Sequence, residues 1–278
     1  MVDLDYKNNF NLSKKVIIVT GGAGLIGSNI LKGIIDLEGI PIVFDNDQNK
    51  LKAIKKDEKF KNLKSFNIDL LNEEEIKDSV NNIVNDVGRI DCLINGAAFA
   101  MGQLKNSKNN YFEDYENYPR ELWSKAINGN LDCIFLMCKI VGSVMRKQGF
   151  GRIVNIASDV GVISPDHRIY KPNPKYDYKG VDFNTPASYS VSKSGVIGLT
   201  RYLATYWASS GLNVNSVSPA GVFNNHDKKF VEQLAERIPM GRMANVEEVV
   251  SPILFLCSEA SSFINGANIM IDGGRSIW

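Results

Sequence analysis

Short apolar runs rich in Val and Ile recur at 16–19, 40–44, 90–94, 153–156 and 268–271, with weaker runs of the same kind at 63–68 and 212–217. They are continuous and do not alternate with polar residues, which predicts strands buried on both faces. Amphipathic stretches at 25–37, 73–87, 122–147, 188–209 and 246–257 lie between them and predict helices. Strand–helix alternation with short joins implies right-handed crossovers and a parallel sheet covered on both sides. The expected fold is therefore α/β, a doubly wound sheet of about seven strands. No repeat or linker is visible, so one domain over 1–278 is expected.

One stretch breaks the rhythm. Residues 164–186 carry four prolines and four aromatic residues without a clean period. Long connections inside a compact domain are functional or disordered. The aromatic content favours an ordered loop beside the active site, and a charged, solvated loop is the alternative.

Composition narrows the function. Thirty-two Lys+Arg against 31 Asp+Glu leave a formal charge of +1, with 44% hydrophobic residues. A nucleic-acid partner would call for a basic excess, and a disordered chain for few apolar groups. Cys92, Cys133, Cys138 and Cys257 form no C-x-x-C pair, as expected of buried thiols in a reducing compartment. The N-terminal residues lack a signal-peptide layout, and the best apolar run, 131–145, is broken by Asp132 and Lys139. A cytosolic protein with no membrane partner is expected. His167 and His226 show no ligand spacing, so no metal is expected.

Thr20-Gly21-Gly22-Ala23-Gly24-Leu25-Ile26-Gly27 follows the first strand and opens the first helix. Glycines there allow a tight turn, backbone approach to a pyrophosphate and close helix–strand packing, while the helix N-terminus offers free N–H groups. Asp45 ends the second predicted strand, placed to accept the ribose hydroxyls of adenosine and to repel a 2′-phosphate. No Arg or Lys adjoins it, which favours NAD over NADP; Asp47 is the alternative acid.

Taken in order, these features resemble a short-chain dehydrogenase/reductase over nearly the whole chain, a Rossmann-type single-domain family. The resemblance rests on the glycine turn, Asp69-Leu70, Asn95-Gly96-Ala97, Asn130, Ser158 and Tyr189-Ser190-Val191-Ser192-Lys193, and on the C-terminal pattern from Ile238 to Asp272-Gly273-Gly274. It implies that Gly21, Gly24, Leu25, Ile26, Gly27, Asp45, Asp69, Leu70, Asn95, Gly96, Ala97, Tyr189, Lys193, Pro219 and Val222 bind the cofactor. It implies four catalytic residues: Tyr189 as general acid/base, Lys193 lowering the tyrosine pKa and holding the nicotinamide ribose, Ser158 orienting the substrate oxygen, and Asn130 anchoring a water in a proton relay. The i,i+4 spacing of Tyr189 and Lys193 places both on one helical face, and a cation ~4 Å away would lower a phenol pKa.

Three departures stand out. The glycine spacing matches the extended branch of epimerases and dehydratases, but no C-terminal substrate domain follows Lys193. Ser218-Pro219-Ala220-Gly221-Val222-Phe223-Asn224 differs from the family's more frequent form, which has Pro-Gly and a later Thr that touches the carboxamide. The third is the long Ser158–Tyr189 interval. The insertion and the ending Asp272–Trp278 resemble a branch found with bacterial surface-carbohydrate and flagellin-glycosylation pathways. The expected activity is NAD-dependent oxidation or reduction at a secondary alcohol or ketone, on a small molecule such as a sugar or sugar phosphate. His167, Arg168, Lys171, Ser158 and Asn224 are the candidate substrate contacts, the cations for a phosphate. An NAD-retaining epimerase or dehydratase and a non-catalytic NAD-binding regulator are the alternatives. Helices at 122–147 and 188–209 carry more apolar residues than one buried stripe needs, so a homodimer or homotetramer is expected.

Overall fold

The computed structural model describes residues 6–99, 112–170, 177–178, 181–182 and 184–278. Seven strands form one parallel sheet in the order β3-β2-β1-β4-β5-β8-β9. They are β1 (Val16–Thr20), β2 (Ile40–Asp45), β3 (Lys64–Asn67), β4 (Cys92–Asn95), β5 (Gly151–Ile156), β8 (Leu212–Pro219) and β9 (Asn268–Ile271). All seven expected strands are present. Ile18 pairs with Ile42 on one side and with Leu93 on the other, which sets the register at the centre.

The continuous apolar runs are explained by two cores, one on each face. Val16, Ile18, Ile42, Phe44 and Leu93 point to one core, and Ile17, Val19, Val43, Cys92 and Ile94 to the other. Successive residues alternate faces, yet both faces are buried, so no polar alternation survives. The first core is closed by α4 (Glu73–Val87), α6 (Cys133–Gln148) and α7 (Ala187–Tyr206). The second is closed by α2 (Leu25–Asp36), α3 (Gln48–Ile54) and α9 (Val246–Cys257). A short α1 (Tyr6–Asn9) precedes the sheet, and α8 (Lys228–Ala235) lies between β8 and α9.

Helix ends follow local chemistry. Asn72 caps α4 by accepting from the N–H groups of Glu74 and Glu75, and Gly88, at φ +78°, ends that helix. Asn245 and Glu248 form a capping box on α9. The pattern missed α3 and α8, each a seven- or eight-residue helix whose start is marked only by its cap, Asp47 or Asp227.

The expected helix over 122–147 is interrupted. It consists of α5 (Arg120–Ile127), a π turn at Asn128–Asp132, and α6. Although long and apolar enough to cross a membrane by composition, this run packs Ile134, Met137, Cys138 and Val141 into the core beside the sheet. In the insertion, His167–Tyr170 form a 3-10 turn, and Asp177–Tyr178 (β6) pair antiparallel with Val181–Asp182 (β7). The strand order reverses between β1 and β4, and in doubly wound sheets the crevice at such a reversal holds the ligand.

Candidate active site

The reversal point is held together by Thr20, whose buried Oγ1 accepts from the N–H groups of Gly96 and Ala97, 3.1 Å each. Gly21 sits at φ +67°, and a Cβ there would lie 2.8 Å from the Cα of Ala97. A Cβ on Gly27 would lie 2.2 Å from the carbonyl oxygen of Gly21. Gly24 caps α2 without a side-chain hydrogen bond, and Leu25 is exposed at the start of the helix. Ile26 packs partly buried against the second core. The turn is therefore a backbone cradle at a helix N-terminus, open to a phosphate.

Asp45 is the acid that reaches this cradle. One of its carboxylate oxygens accepts from Ala23 N–H and the other from Asp47 N–H, both at 3.0 Å. Asp47 is occupied as the cap of α3 and pairs with Lys50. Asp69 accepts from Leu71 N–H in its own turn, with Leu70 buried beside it. Asn95 is turned into the interior, where its Nδ2 donates to Asn155 Oδ1 at 2.8 Å and so bridges β4 to β5. Pro219 is buried at the end of β8, while Val222 bridges to Ala244.

The candidate proton-handling groups converge from β5 and α7. Ser158 follows β5 and is buried. Its hydroxyl donates to Asp159 Oδ1 at 3.0 Å, and it lines one cavity with Tyr189, one helical turn before Lys193. The buried Lys193 Nζ donates to the carbonyl of Ile156 at 2.8 Å and lies 5.8 Å from the centroid of the Tyr189 ring. Burial pushes the Tyr189 phenol up, with the neighbouring Ser158 hydroxyl opposing. The ammonium is held by the strand carbonyl, and burial drives its own pKa down to about 8.

Asn130 lies in the π turn, fully buried, and accepts from Phe99 N–H at 2.8 Å. Its Nδ2 donates to Ser192 Oγ at 3.2 Å, and Ser192 donates to the carbonyl of Tyr189. The extra residue of a π turn rotates this side chain inward, a device common at functional sites.

A cavity of about 200 Å³ opens beside Ser158 and Tyr189, bounded also by Tyr170, Thr185, Phe230 and Arg275. The Tyr170 hydroxyl and Thr185 Oγ1 are 2.8 Å apart, and the Tyr170 ring stacks on Phe230. Of the expected cationic contacts, His167 and Arg168 do not line it. His167 is exposed, and Arg168, whose side chain is 83% exposed, pairs with Asp166. Asp166 is held by Arg237 as well, and Arg168 and Arg237 keep its carboxyl well below the usual range. The reason is packing: Ile169 turns inward, anchored on Leu234, Ile238 and Met243, and His167 and Arg168 before it face outward. Asn224 is exposed outside the cavity, and Lys171 lies outside the described residues. The cavity residues absent from the sequence expectation include Asp159, Arg275 and those of α8. Asp159 beside Ser158 was the available signal for the first; the others come from distant segments. Among the described residues, no three His, Cys, Asp or Glu side chains converge as a metal site.

Comparison with known proteins places this geometry. The short chain dehydrogenase family profile matches residues 15–170, and one described as Enoyl-(Acyl carrier protein) reductase matches 175–276. The chain belongs to the short-chain dehydrogenase/reductase family. It is 31% identical over 277 residues to an NAD-dependent glycerol dehydrogenase of Listeria innocua, covering 98% of each chain. It is 30% identical to a 2-dehydro-3-deoxy-D-gluconate 5-dehydrogenase of Bacillus subtilis, covering 95% of this chain and 96% of the relative. A solved short-chain dehydrogenase of Leptospira borgpetersenii with bound NAD+ superposes with a TM-score of 0.81 at 28% identity, covering 100% of this chain and 98% of that one. The family and its dehydrogenase fold are thereby shown.

Proposed function

We propose that the protein is an NAD-dependent dehydrogenase that interconverts a secondary alcohol and a ketone on a small polyhydroxylated substrate. The observation that carries this reading is that Ser158 and Tyr189 line one cavity, with Lys193 one helical turn on from Tyr189 and held by the Ile156 carbonyl. The cradle fits a dinucleotide: side chains at Gly21 or Gly27 would fill it, and the Asp45 carboxylate borders it. Gly21, Gly24, Gly27 and the first turn of α2 would hold the pyrophosphate, and Asp45 the adenosine ribose. When bound, NAD supplies the redox chemistry, accepting or returning a hydride.

The protein's own residues handle the proton. Tyr189 exchanges it at the phenol oxygen with the substrate hydroxyl or carbonyl, and Ser158 orients that same oxygen. Lys193, with its pKa near 8, is charged or neutral within the working range and stabilises the phenolate when charged. Tyr189 and Ser158 face a pocket whose other polar groups are the Tyr170 and Thr185 hydroxyls and a mutually paired Asp159 and Arg275. Among the described residues its lining holds no unpaired cation, which suits neutral polyols and keto-sugars. The glycerol dehydrogenase relative supports the same class. Placement in the surface-carbohydrate branch rests on the insertion and the Asp272–Trp278 ending.

Exposed Phe135 on α6 and Val191, Tyr202 and Tyr206 on α7 give these helices an apolar outer face. We assign that face to a two-fold contact between copies of the chain. The function is tested by screening polyols and keto-sugars, free and phosphorylated, for NADH turnover. Turnover confined to phosphorylated compounds would contradict the substrate reading. Epimerisation without net NADH change would favour the NAD-retaining alternative that the glycine spacing suggests.

A further inference from the structure

The dehydrogenase reading assigns no role to the most buried ion pair bordering the cavity. Arg275 Nη1 donates to Asp159 Oδ2 at 2.5 Å, and both side chains are less than a tenth exposed. The other oxygen of Asp159 accepts from the Ser158 hydroxyl at 3.0 Å and from Val160 N–H at 2.8 Å. A chain of polar contacts therefore runs from Arg275 through Asp159 to Ser158, which lines the cavity together with Tyr189.

The delivery of Arg275 is built in. Gly273 and Gly274 adopt φ of +62° and +89°, the left-handed region that favours glycine. Asp272 pins the turn from both sides, its two carboxylate oxygens accepting from Gly274 N–H at 3.0 Å and Ser276 N–H at 2.8 Å. A Cβ on Gly273 would lie 2.6 Å from a methyl of Ile238, so the turn is packed as well as hydrogen-bonded. A segment more than a hundred residues from Ser158 in sequence thus presents a guanidinium under it.

We propose that Asp159 and Arg275 are positioning residues of this active site: Arg275 balances the charge of Asp159, and Asp159 fixes the hydroxyl of Ser158 relative to the reacting oxygen. The proposal rests on the dehydrogenase reading above. Its physical content is a single preferred direction for a hydroxyl that would otherwise rotate. A lone buried carboxylate at this position would be costly and would disfavour a phenolate at Tyr189, and the guanidinium opposes both effects. The charged or titratable groups around the phenol are Asp159, Tyr170 and Lys193, with Arg275 behind Asp159.

The test uses the full-length protein and a substrate from the polyol screen, with kcat, KM, NAD affinity and melting temperature measured together. A hydrogen bond to a charged group corresponds to roughly 10–150-fold. Arg275→Met and Asp159→Ala are expected to lower kcat by about that factor, with the Kd for NAD within about twofold. Because the two act as one unit, the double variant loses no more than the worse single one, and Arg275→Lys regains part of the loss. The isosteric Asp159→Asn removes a negative charge near the phenol, so the rise of kcat with pH in alcohol oxidation moves to lower pH. Losses that multiply in the double variant, or variants that fold yet keep kcat within about threefold of the parent, would overturn the proposal. So would an Asp159→Asn protein with an unmoved pH profile. Retained turnover in Tyr189→Phe is a different failure, because it removes the dehydrogenase reading itself.

Discussion

Gly27→Ala sets helix propensity against cradle geometry. Position 27 lies in the first turn of α2, where alanine is intrinsically favoured over glycine by about 1 kcal/mol. The structure predicts the opposite sign. The new Cβ would stand 2.2 Å from the Gly21 carbonyl oxygen and 2.7 Å from the Gly22 Cα, both backbone atoms that cannot rotate away. Relief requires α2 to back off from the turn, an overpacking strain of about 1–3 kcal/mol. For a chain of this size each kcal/mol lowers Tm by about 2–4 °C. Gly88→Ala is the control. At φ +78° with nothing within 4 Å of the added Cβ, it pays only the left-handed backbone cost of about 1–2 kcal/mol. Thermal melting and NAD titration together decide the matter. Gly27→Ala is expected to lose both Tm and NAD affinity, whereas Gly88→Ala loses Tm alone. A Gly27→Ala protein that melts higher than the parent and binds NAD normally would refute the reasoning.

Three further outcomes are expected. Asp45→Ser removes the carboxylate that accepts from Ala23 N–H and should shift preference toward NADP, read as the ratio of kcat/KM for the two dinucleotides; an unchanged ratio counts against Asp45 as the selecting acid. Lys193 has a folded pKa lowered by burial to about 8, so the folded state binds fewer protons than the unfolded one between about pH 8 and 10.5. Its contribution to stability rises with pH across that window, so any Tm advantage of Lys193→Met near pH 7 should shrink as pH approaches 10; an advantage that grows would contradict the sign. Sedimentation at micromolar concentration should give a dimer or tetramer, and Tyr202→Glu on the exposed face of α7 should shift it toward smaller species; a monomeric parent protein would rule out the assembly.

The sheet was legible because burial on both faces leaves a signal stronger than propensity: runs such as Val16-Ile17-Ile18-Val19 have no polar position to hide. The glycine turn and Asp45 were legible because their chemistry is local in sequence. The π turn was not, since one extra residue in one turn leaves the apolar period on either side nearly intact. Arg168 was misjudged because proximity in sequence to Ser158 says nothing about which side of a short turn faces inward, and Ile169 takes that place. Arg275 was invisible as a site residue for the opposite reason. Only the sheet's closure by β9 brings the C-terminal turn under Ser158. The tyrosine–lysine spacing gave the right face but not the ion's position, because the Ile156 carbonyl that holds Lys193 lies on β5, 37 residues away.

In the proposed reaction Tyr189 moves the proton at a site that Ser158 orients and the glycine cradle serves. The direct measurement is NADH turnover by Tyr189→Phe on a substrate the parent protein oxidises, with NAD binding titrated on the same preparation. Turnover is expected to disappear while the Kd for NAD stays within about twofold, because the phenol hydroxyl acts on the substrate oxygen. Retention of more than about a tenth of the parent kcat with NAD binding unchanged would contradict it.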